Sequence, residues 1–516
     1  MAGSRQIPSR VVLTDQQGRV ELGYNAIEAK GRRQAPATLL KHEDRVLLPK
    51  DRDKLTATTR DAQRNLALLS WAVRRHLDYV SRFDVHVTGL PDDLTVEMQA
   101  LFEWHARKQN FDPGKRHSRN SAMRIFEAGK VLDGDAAWVK LSTGKIQSLE
   151  GTRIAKPRDT TDMSLAVKTK LQQVSEHGLI LDEFGGIAQA CVCKRKSTAG
   201  IANNGPLIFD KFVDGGNLIL GGYFTRAEQT RGVSPLTTAL NTFRDLYEGW
   251  EWTLIKIKLH ALFGVAIFRD AVGGDGFPTT ATEDADVDID SEEVTDNRYD
   301  VSLKDGIMML DLDPGDRAEM LESKTPNSQV GPYSELMIRI SLLALDIPFT
   351  FFNSAKASFS ARIADRVEYE ESARFKREDN QASLADYSDA CLVRWVNRAD
   401  MLQPYMQRHG LTLRQVQRAV EWVPAGQPWL DKLNEVSGDA RAIGAGLDSR
   451  QRICKRRGQG DWKTIAMELK EETEFYRAND IPITIGDSGQ DTVQQKDVAT
   501  ESETESETEG DADGNE

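Results

Sequence analysis

The sequence is poor in cysteine and histidine, the residues on which disulfide frameworks and many metal sites depend. Its 516 residues include four cysteines and eight histidines. Four scattered cysteines are too few for a disulfide framework, which favours synthesis in a reducing cytoplasm. Cys191 and Cys193 are separated by one residue, but no second cysteine or histidine pair follows at zinc spacing. Because both thiols would point to one face of a strand, we expect core packing and predict no metal site.

The sequence also lacks a long uninterrupted apolar run. Its most apolar stretch, LIKIKLHALFGVAIF at 254–268, contains Lys256, Lys258 and His260 near its start. A helix that spans a bilayer would not tolerate three such side chains at that spacing. No apolar segment follows the first basic residues, so we do not expect a secretory signal. We therefore predict no membrane partner.

Motifs of catalysis and cofactor binding are missing as well. The phosphate-binding pattern GxxxxGK[ST] does not occur, because Val139 and Ile146 break it on either side of Gly144 and Lys145. The HExxH and GxSxG patterns are absent. The aspartate-rich run at 284–290 lacks the glycine and the final glutamate of a calcium loop. We predict that the protein is not an enzyme and needs no cofactor, and an enzyme with an unrecognised site is the alternative that the sequence favours least.

Charge is unevenly distributed along the chain. The segments 283–296 and 501–516 each hold eight acidic residues and no basic residue. Without these sixteen acidic residues the formal net charge of −13 becomes +3, so the remaining body is close to neutral. Such a body is not suited to gripping DNA over a broad basic face, where lysine and arginine dominate the affinity.

One basic segment, ARKQNFDPGKRHSRNSAMR at 106–124, stands out from this near-neutral body. Its basic residues are Arg107, Lys108, Lys115, Arg116, His117, Arg119 and Arg124. A solvated surface loop is the favoured interpretation, and contact with nucleic acid or an acidic partner is the alternative.

Apolar spacing predicts a mixed α+β fold. Three- and four-residue spacing predicts helices at 57–82, 94–109 and 121–128, and again at 334–347 and from about 359 to 401. Between 136 and 224 the period shortens toward two, which is typical of strands. Ser234 and Pro235 form a good helix start, and we expect a single helix to run from there to 268. We also expect two strands around the Asp-Pro-Gly turn within 307–323, and a helical region that ends near 479.

Eight segments in collinear order resemble the portal proteins of tailed bacteriophages, in particular the lambda-like subfamily. They are GYNAIEAKGRR (23–33), RDAQRNLALLSWAV (60–73), VLDGDAAWVKL with IQSLEGTRI (131–154), QTRGVSPL (229–236), PGDRAEMLESKTPNSQ (314–329), IPFTFFNSAKASFSAR (347–362), WVPAGQPWLDKLNE (422–435) and AIGAGLDSRQRICKRRGQGDW (442–462). The closest match to the family signature contains Gln229, Arg231, Gly232 and Pro235. The chain departs from the family at Asp346, where glycine is common, and at the acidic insertion 283–296.

The resemblance implies a subunit built from a wing, a stem, a clip and a crown. The corresponding ranges are a flexible N-terminus (1–20), an α+β wing (21–233), a first stem helix (234–268), a small α/β clip with the acidic insertion (269–333), a second stem helix (334–346), a tunnel loop (347–360), a long wing helix (361–400), a crown-like helical region (401–480) and a disordered acidic tail (481–516).

The resemblance also implies specific roles in the tunnel loop. Three aromatic residues would anchor the base of the loop, namely Phe349, Phe351 and Phe352. Four residues would face a channel, namely Asn353, Ser354, Lys356 and Ser358. Because every residue would recur around a ring, one lysine per copy would place a ring of positive charge at one level. The alternative is a buried connection between two helices, with Lys356 in bulk solvent.

Function and partners follow from the same resemblance. The family forms a ring, normally of twelve copies, at one vertex of the capsid, and double-stranded DNA is packaged and ejected through its central channel without sequence specificity. The implied partners are the terminase large subunit, the major capsid and scaffolding proteins and a head-completion or connector protein. The protein would act in the virion after assembly in the bacterial cytoplasm. Two alternatives are a portal of a defective prophage or gene-transfer particle, and a cytosolic ring or scaffold that binds single-stranded nucleic acid through 106–124.

Overall fold

The computed structural model describes residues 42–161, 163–195, 206–262, 265–269, 302–304, 307–309, 316–320, 329–355, 357–426 and 432–479. For 259–262 and for the four short strands between 265 and 320 it describes the backbone alone. The predicted N-terminal segment 1–20, the acidic insertion 283–296, the tail 481–516 and Lys356 lie outside the described residues.

Fifteen helices and twelve strands make up the described part of the chain. The helices are α1 (Glu43–Val46), α2 (Pro49–Asn65), α3 (Ala67–Val80), α4 (Asp92–Ala106), α5 (Lys108–Phe111), α6 (Arg119–Asp133), α7 (Leu165–Leu171), α8 (Leu240–Leu262), α9 (Val330–Leu342), α10 (Phe359–Trp395), α11 (Gln403–His409), α12 (Leu413–Ala419), α13 (Lys432–Gly444), α14 (Arg450–Arg457) and α15 (Trp462–Ala478). The strands are β1 (Phe83–Val87), β2 (Asp135–Lys140), β3 (Ile146–Glu150), β4 (Leu179–Leu181), β5 (Ile187–Arg195), β6 (Leu207–Asp214), β7 (Leu218–Gly222), β8 (Val265–Arg269), β9 (Ser302–Lys304), β10 (Ile307–Met309), β11 (Asp316–Met320) and β12 (Val420–Pro424). The mixed helix and sheet composition confirms the predicted fold class.

The chain divides into two compact units. The first comprises Met1–Tyr79, Ile125–Val139 and Ser148–Phe375, and the second comprises Val80–Arg124, Lys140–Gln147 and Lys376–Glu516. Helix α10 begins in the first unit and ends in the second.

A three-stranded sheet of order β3-β2-β7 occupies the first unit. Strands β2 and β7 are antiparallel and pair Asp135 with Gly222. The first five residues of β2 are buried. Both faces of the strand are therefore covered, and its sequence is almost continuously apolar instead of alternating between apolar and polar residues. Trp138 of β2 is fully buried, and its ring centroid lies 4.9 Å from that of Phe126 on α6. Trp138 thus anchors β2 in the core of the unit.

A second sheet of the first unit has the order β4-β5-β6. Cys191 and Cys193 lie on β5, fully buried in a cluster with Leu171 and Val174. The Cys193 thiol donates a 3.1 Å hydrogen bond to the carbonyl of Ala155. The prediction that these cysteines serve core packing is confirmed.

The second unit contains an antiparallel pair of β1 with β12, whose register joins Val85 to Trp422. An aromatic cluster fills its core, in which the ring centroids of Phe102 and Trp395 are 4.9 Å apart. The buried His105 ring lies 2.7 Å from the hydroxyl of Tyr387. Helix α10 thus contributes its C-terminal half to this core.

Two secondary-structure predictions need correction. The helix expected at 57–82 is two helices, because Leu66 adopts an extended conformation between α2 and α3. The single helix expected over 234–268 starts with a 3₁₀ turn at Pro235–Thr238 and ends at Leu262, since β8 pairs antiparallel with β11. The prediction of two strands around the Asp-Pro-Gly turn is confirmed by β10 and β11, which pair with β9 and β8 respectively.

Within the described residues no helix is both long and apolar enough to cross a membrane. In the same part of the chain no group of three or more histidine, cysteine or acidic side chains is placed to hold a metal ion.

Candidate functional site

The arginine of the signature segment is buried in the first unit. Arg231 is 1% exposed, and its guanidinium donates two hydrogen bonds to the Asp135 carboxylate, from Nε at 2.7 Å and from Nη2 at 2.8 Å. It also donates to three backbone carbonyls, those of Gly151 at 2.6 Å, Ile154 at 2.6 Å and His177 at 2.8 Å. Five hydrogen bonds from one planar group fix three chain segments against the start of β2.

Asp135 is the centre of this cluster, which we call the Arg231 cluster (Arg52, Asp135, Arg231). Arg52 is a second arginine bound to this carboxylate, and its Nη2 donates a hydrogen bond to Oδ1 of Asp135 at 2.7 Å. The backbone N–H of Gly232 donates to Oδ2 at 3.1 Å. Burial on its own would raise the pKa of Asp135, but Arg231 and Arg52 outweigh it and hold that pKa below its usual range. Burial and the nearby Arg231 lower the pKa of Arg52 to about 10. Asp135 and Arg52 are therefore both charged at neutral pH.

The other signature residues shape the backbone around the cluster. A Cβ atom on Gly232 would lie 2.0 Å from the carbonyl oxygen of Gly134, so only glycine permits this close approach. The Gln229 side-chain amide donates to the Arg231 carbonyl at 2.6 Å. Ser234 accepts a hydrogen bond from the Leu236 N–H, and Pro235 opens the 3₁₀ turn that leads into α8. The signature segment is thus an internal lock, a set of contacts that fix the backbone inside the first unit.

Sequence reasoning missed a second buried charged cluster in the same unit. Glu127 on α6 is fully buried, with Lys130 Nζ 3.0 Å from Oε2 and His76 Nε2 3.0 Å from Oε1. The hydroxyl of Tyr223 donates to Oε1 at 2.7 Å. Burial would raise the pKa of Glu127, but Lys130 and the hydrogen bonds from His76 and Tyr223 lower it to about 2. Helical spacing of Glu127 and Lys130 was the one local signal of this cluster.

The loop between α9 and α10 begins at Asp346, the position where the family commonly has glycine. Asp346 has a φ of 59°, in the left-handed region that glycine adopts most readily. Its carboxylate accepts a 2.7 Å hydrogen bond from the Ser372 hydroxyl on α10. Aspartate tolerates this conformation better than most side chains, which explains how the chain ends the helix without glycine.

The three phenylalanines of the loop contact helices of the first unit. The ring of Phe351 lies 5.8 Å from that of Tyr79 and 5.3 Å from that of Tyr369. Phe352 contacts Trp71 edge-on, with ring centroids 5.7 Å apart. The guanidinium carbon of Arg339 lies 4.6 Å from the ring centroid of Phe349, a cation–π distance. These contacts join the loop to α3, α9 and α10.

The polar residues of the loop serve different contacts. The side chain of Asn353 accepts a hydrogen bond from the Ala355 N–H at 3.0 Å, and Ser354 is exposed. Ser358 precedes α10, and its hydroxyl accepts from the Ala361 N–H at 3.2 Å. Ser358 is therefore an N-cap, which its sequence position next to a helical pattern could have indicated.

The basic segment 106–124 lies on the second unit and is not uniform. Arg119 is 6% exposed and stacks its guanidinium on the Trp422 ring at 4.8 Å. Arg107, Lys108, Lys115 and Arg116 are exposed. The structure thus separates a structural arginine from four surface cations.

Comparison with known families identifies the chain. The model of the family described as "Phage portal protein, lambda family" matches residues 30–374, about two-thirds of the chain. No curated protein sequence matches the chain.

Solved structures of gene transfer agent (GTA) particles contain similar chains. A chain from the neck of the native particle, computed with C12 symmetry, is 12% identical with a TM-score of 0.43, covering 79% of this chain and 92% of that chain. A chain from the virion of the native particle is 11% identical with a TM-score of 0.38, covering 78% and 92%. A chain from the neck of the empty particle, computed with C6 symmetry, is 12% identical with a TM-score of 0.43, covering 78% and 92%. Because these identities and TM-scores are low, the family assignment depends on the family match over 30–374, which confirms the resemblance found in the sequence. The chain belongs to the lambda family of phage portal proteins.

Proposed function

We propose that copies of this portal protein, normally twelve, close into a ring at one capsid vertex and that double-stranded DNA enters and leaves through its central channel. Membership of the portal family supports the proposal. The near-neutral charge of the chain outside its two acidic segments supports it as well. DNA that must slide cannot be held by many neutralised phosphates, because affinity rises steeply with their number.

The exposed apolar side chains of α8 are the main structural support for the proposed ring. This helix starts in the core with Leu240 and Phe243 buried, and from Glu248 onward its described side chains are almost all exposed. Trp252 is 63% exposed and Leu254 49% exposed. Large apolar side chains exposed in such number along one helix mark an interaction site, since monomeric proteins seldom leave a surface of this kind uncovered.

Helix α9 adds to the same surface of the first unit. The Trp250 indole N–H on α8 donates to the Ser334 hydroxyl on α9 at 3.0 Å, which joins the two helices. Tyr333, Leu336 and Ile340 of α9 remain 60%, 52% and 44% exposed. Burying one large apolar side chain contributes about 1.5–3 kcal/mol. A neighbouring copy of the chain would cover both helices.

In this ring we assign 234–262 and 334–346 to the stem and 347–360 to the loop that faces the channel. The contacts of Phe349, Phe351 and Phe352 suit them as anchors of that loop. Ser354 and Lys356 would then present polar and positive groups to DNA. Ser358 has its hydroxyl committed to capping α10, so we give it a smaller part in the channel.

Partners and site of action complete the proposal. We infer that a separate terminase hydrolyses ATP and docks on the clip, because the sequence has no phosphate-binding loop and we regard the chain as non-enzymatic. Capsid, scaffolding and head-completion proteins would contact other surfaces. Assembly would occur in the bacterial cytoplasm, and the ring would function in the virion.

Native mass spectrometry of purified protein tests the ring. We expect closed oligomers for the unaltered chain and for the control Lys256→Glu, which changes an exposed polar position on the same helix. Trp252→Glu combined with Leu254→Glu should shift the protein to small species while circular dichroism stays unchanged. Stable monomers of the unaltered chain, or intact rings of the double variant, would contradict the proposed stem contact.

A further inference from the structure

We propose that the basic loop of the second unit, residues 107–117, binds the acidic C-terminal segment 501–516 of the same chain. This contact would cover the exposed cations and keep free polyanions, including nucleic acid, away from them. The proposal does not depend on ring formation.

The four surface cations of the basic loop have no salt-bridge partner in the described part of the chain. They are Arg107, Lys108, Lys115 and Arg116, all of them exposed. The one acidic residue of the loop, Asp112, is buried, and its carboxylate accepts backbone N–H groups instead. By contrast, Arg457 of the same unit is paired with Glu435 and Asp439. Asp112 offsets part of this charge, and the basic loop keeps a net positive charge.

The loop is held in one conformation. The Asp112 carboxylate accepts N–H groups of Gly114 at 3.1 Å, Arg116 at 2.8 Å and His117 at 3.3 Å. Lys115 has a φ of 55°, a left-handed conformation that a free lysine rarely adopts. A ligand would therefore meet a preformed cationic surface and would not have to order a mobile loop.

A further cation lies against the loop. Lys145 Nζ donates to the Gln109 carbonyl at 2.6 Å. Lys145 therefore adds a positive charge beside the loop.

The acidic segment complements this surface in charge and in spacing. Within ESETESETEGDADGNE, glutamates occupy alternate positions from 501 to 509. An extended backbone would put those five carboxylates on one face. The segment has eight acidic residues and no basic residue, so no internal cation competes for it.

Tethering favours the segment over an external polyanion. Helix α15 ends at Ala478 in the same unit, and about 20 residues separate it from Glu501. Because the segment and the loop belong to one chain, their association is intramolecular, whereas free nucleic acid would have to bind from solution.

Fluorescence anisotropy measures the contact directly. The probe is a labelled peptide with the sequence of 499–516, added to the chain truncated after Thr500. We expect binding that weakens when salt rises from 50 to 200 mM, because exposed charges are screened. Lys115→Asn with Arg116→Gln should weaken binding by about fivefold, at a few tenths to one kcal/mol for each exposed pair. Asparagine is chosen because it tolerates the left-handed conformation.

A matched control replaces two exposed arginines of α14 in the same unit, Arg450→Gln with Arg452→Gln. Peptide affinity should change less than twofold in this control. Equal losses in both double variants, or no binding at millimolar peptide, would overturn the proposal. A labelled DNA duplex tests whether the basic loop binds nucleic acid instead of the acidic segment. Duplex bound through Lys115 and Arg116 that the peptide fails to displace would show a nucleic-acid surface and would also overturn it.

Discussion

Replacing Arg231 by alanine removes the guanidinium that donates five hydrogen bonds inside the first unit. Asp135 would keep the contact from Arg52, but the carbonyls of Gly151, Ile154 and His177 would each lose a charged donor. Breaking a buried ion pair by removing one partner costs about 3–5 kcal/mol. Total stabilities of globular domains are about 5–15 kcal/mol, so this loss is a large fraction of the whole.

Thermal unfolding followed by circular dichroism checks this magnitude. For a unit of more than 300 residues, about 3–5 kcal/mol corresponds to a fall in Tm of roughly 4–7 °C. Arg231→Lys keeps the charge but not the two-pronged geometry, so its Tm should lie between those of the alanine variant and the unaltered chain.

Arg244→Ala is the matched control, because Arg244 is exposed on α8 of the same unit. We expect its Tm to stay within about 2 °C of the unaltered chain, as for most surface substitutions. An Arg231→Ala variant as stable as this control would refute the account of the signature segment as an internal lock.

Two further predictions concern pH and the loop. Glu127 and Asp135 have folded pKa values below their unfolded values, so both stabilise the protein fully above about pH 5 and lose that contribution as the pH falls through the folded values. For Glu127, lowering the pKa from 4.5 to about 2 on folding contributes roughly 3 kcal/mol to the free energy of unfolding. The midpoint of urea unfolding should therefore drop steeply between pH 5 and 2. An equally steep drop in the Glu127→Gln variant would show that Glu127 is not its cause. Lys356→Glu reverses one charge per copy and should lower the DNA content of particles while native mass spectrometry still shows rings; unchanged DNA content would remove Lys356 from the channel.

Local sequence signals predicted where helices and strands lie better than they predicted which strands pair. The mixed charges from 361 onward indicated the long helix that the structure has at Phe359–Trp395. The end of α8 was missed because Val265–Arg269 is apolar and continues a helical pattern, whereas its pairing with β11 depends on residues about 50 positions away. Such non-local pairing overrides local propensity.

For the candidate site as well, the sequence indicated the residues but not their contacts. The signature residues were recognised from the sequence, but Asp135 is 96 positions from Arg231, so no local pattern could reveal that they form one buried cluster. The departure at Asp346 was visible in the sequence, and the structure supplies its physical meaning, a left-handed helix end stabilised by Ser372. The N-cap role of Ser358 was available from the helical pattern and was overlooked in favour of the channel.

Electron cryomicroscopy of the purified, unaltered protein tests the central claim most directly. The account predicts closed rings with a central hole wide enough for a DNA duplex, α8 and α9 at the contacts between copies, and 347–360 at the wall of the hole. Particles without a hole, or with a hole too narrow for a duplex, would contradict it.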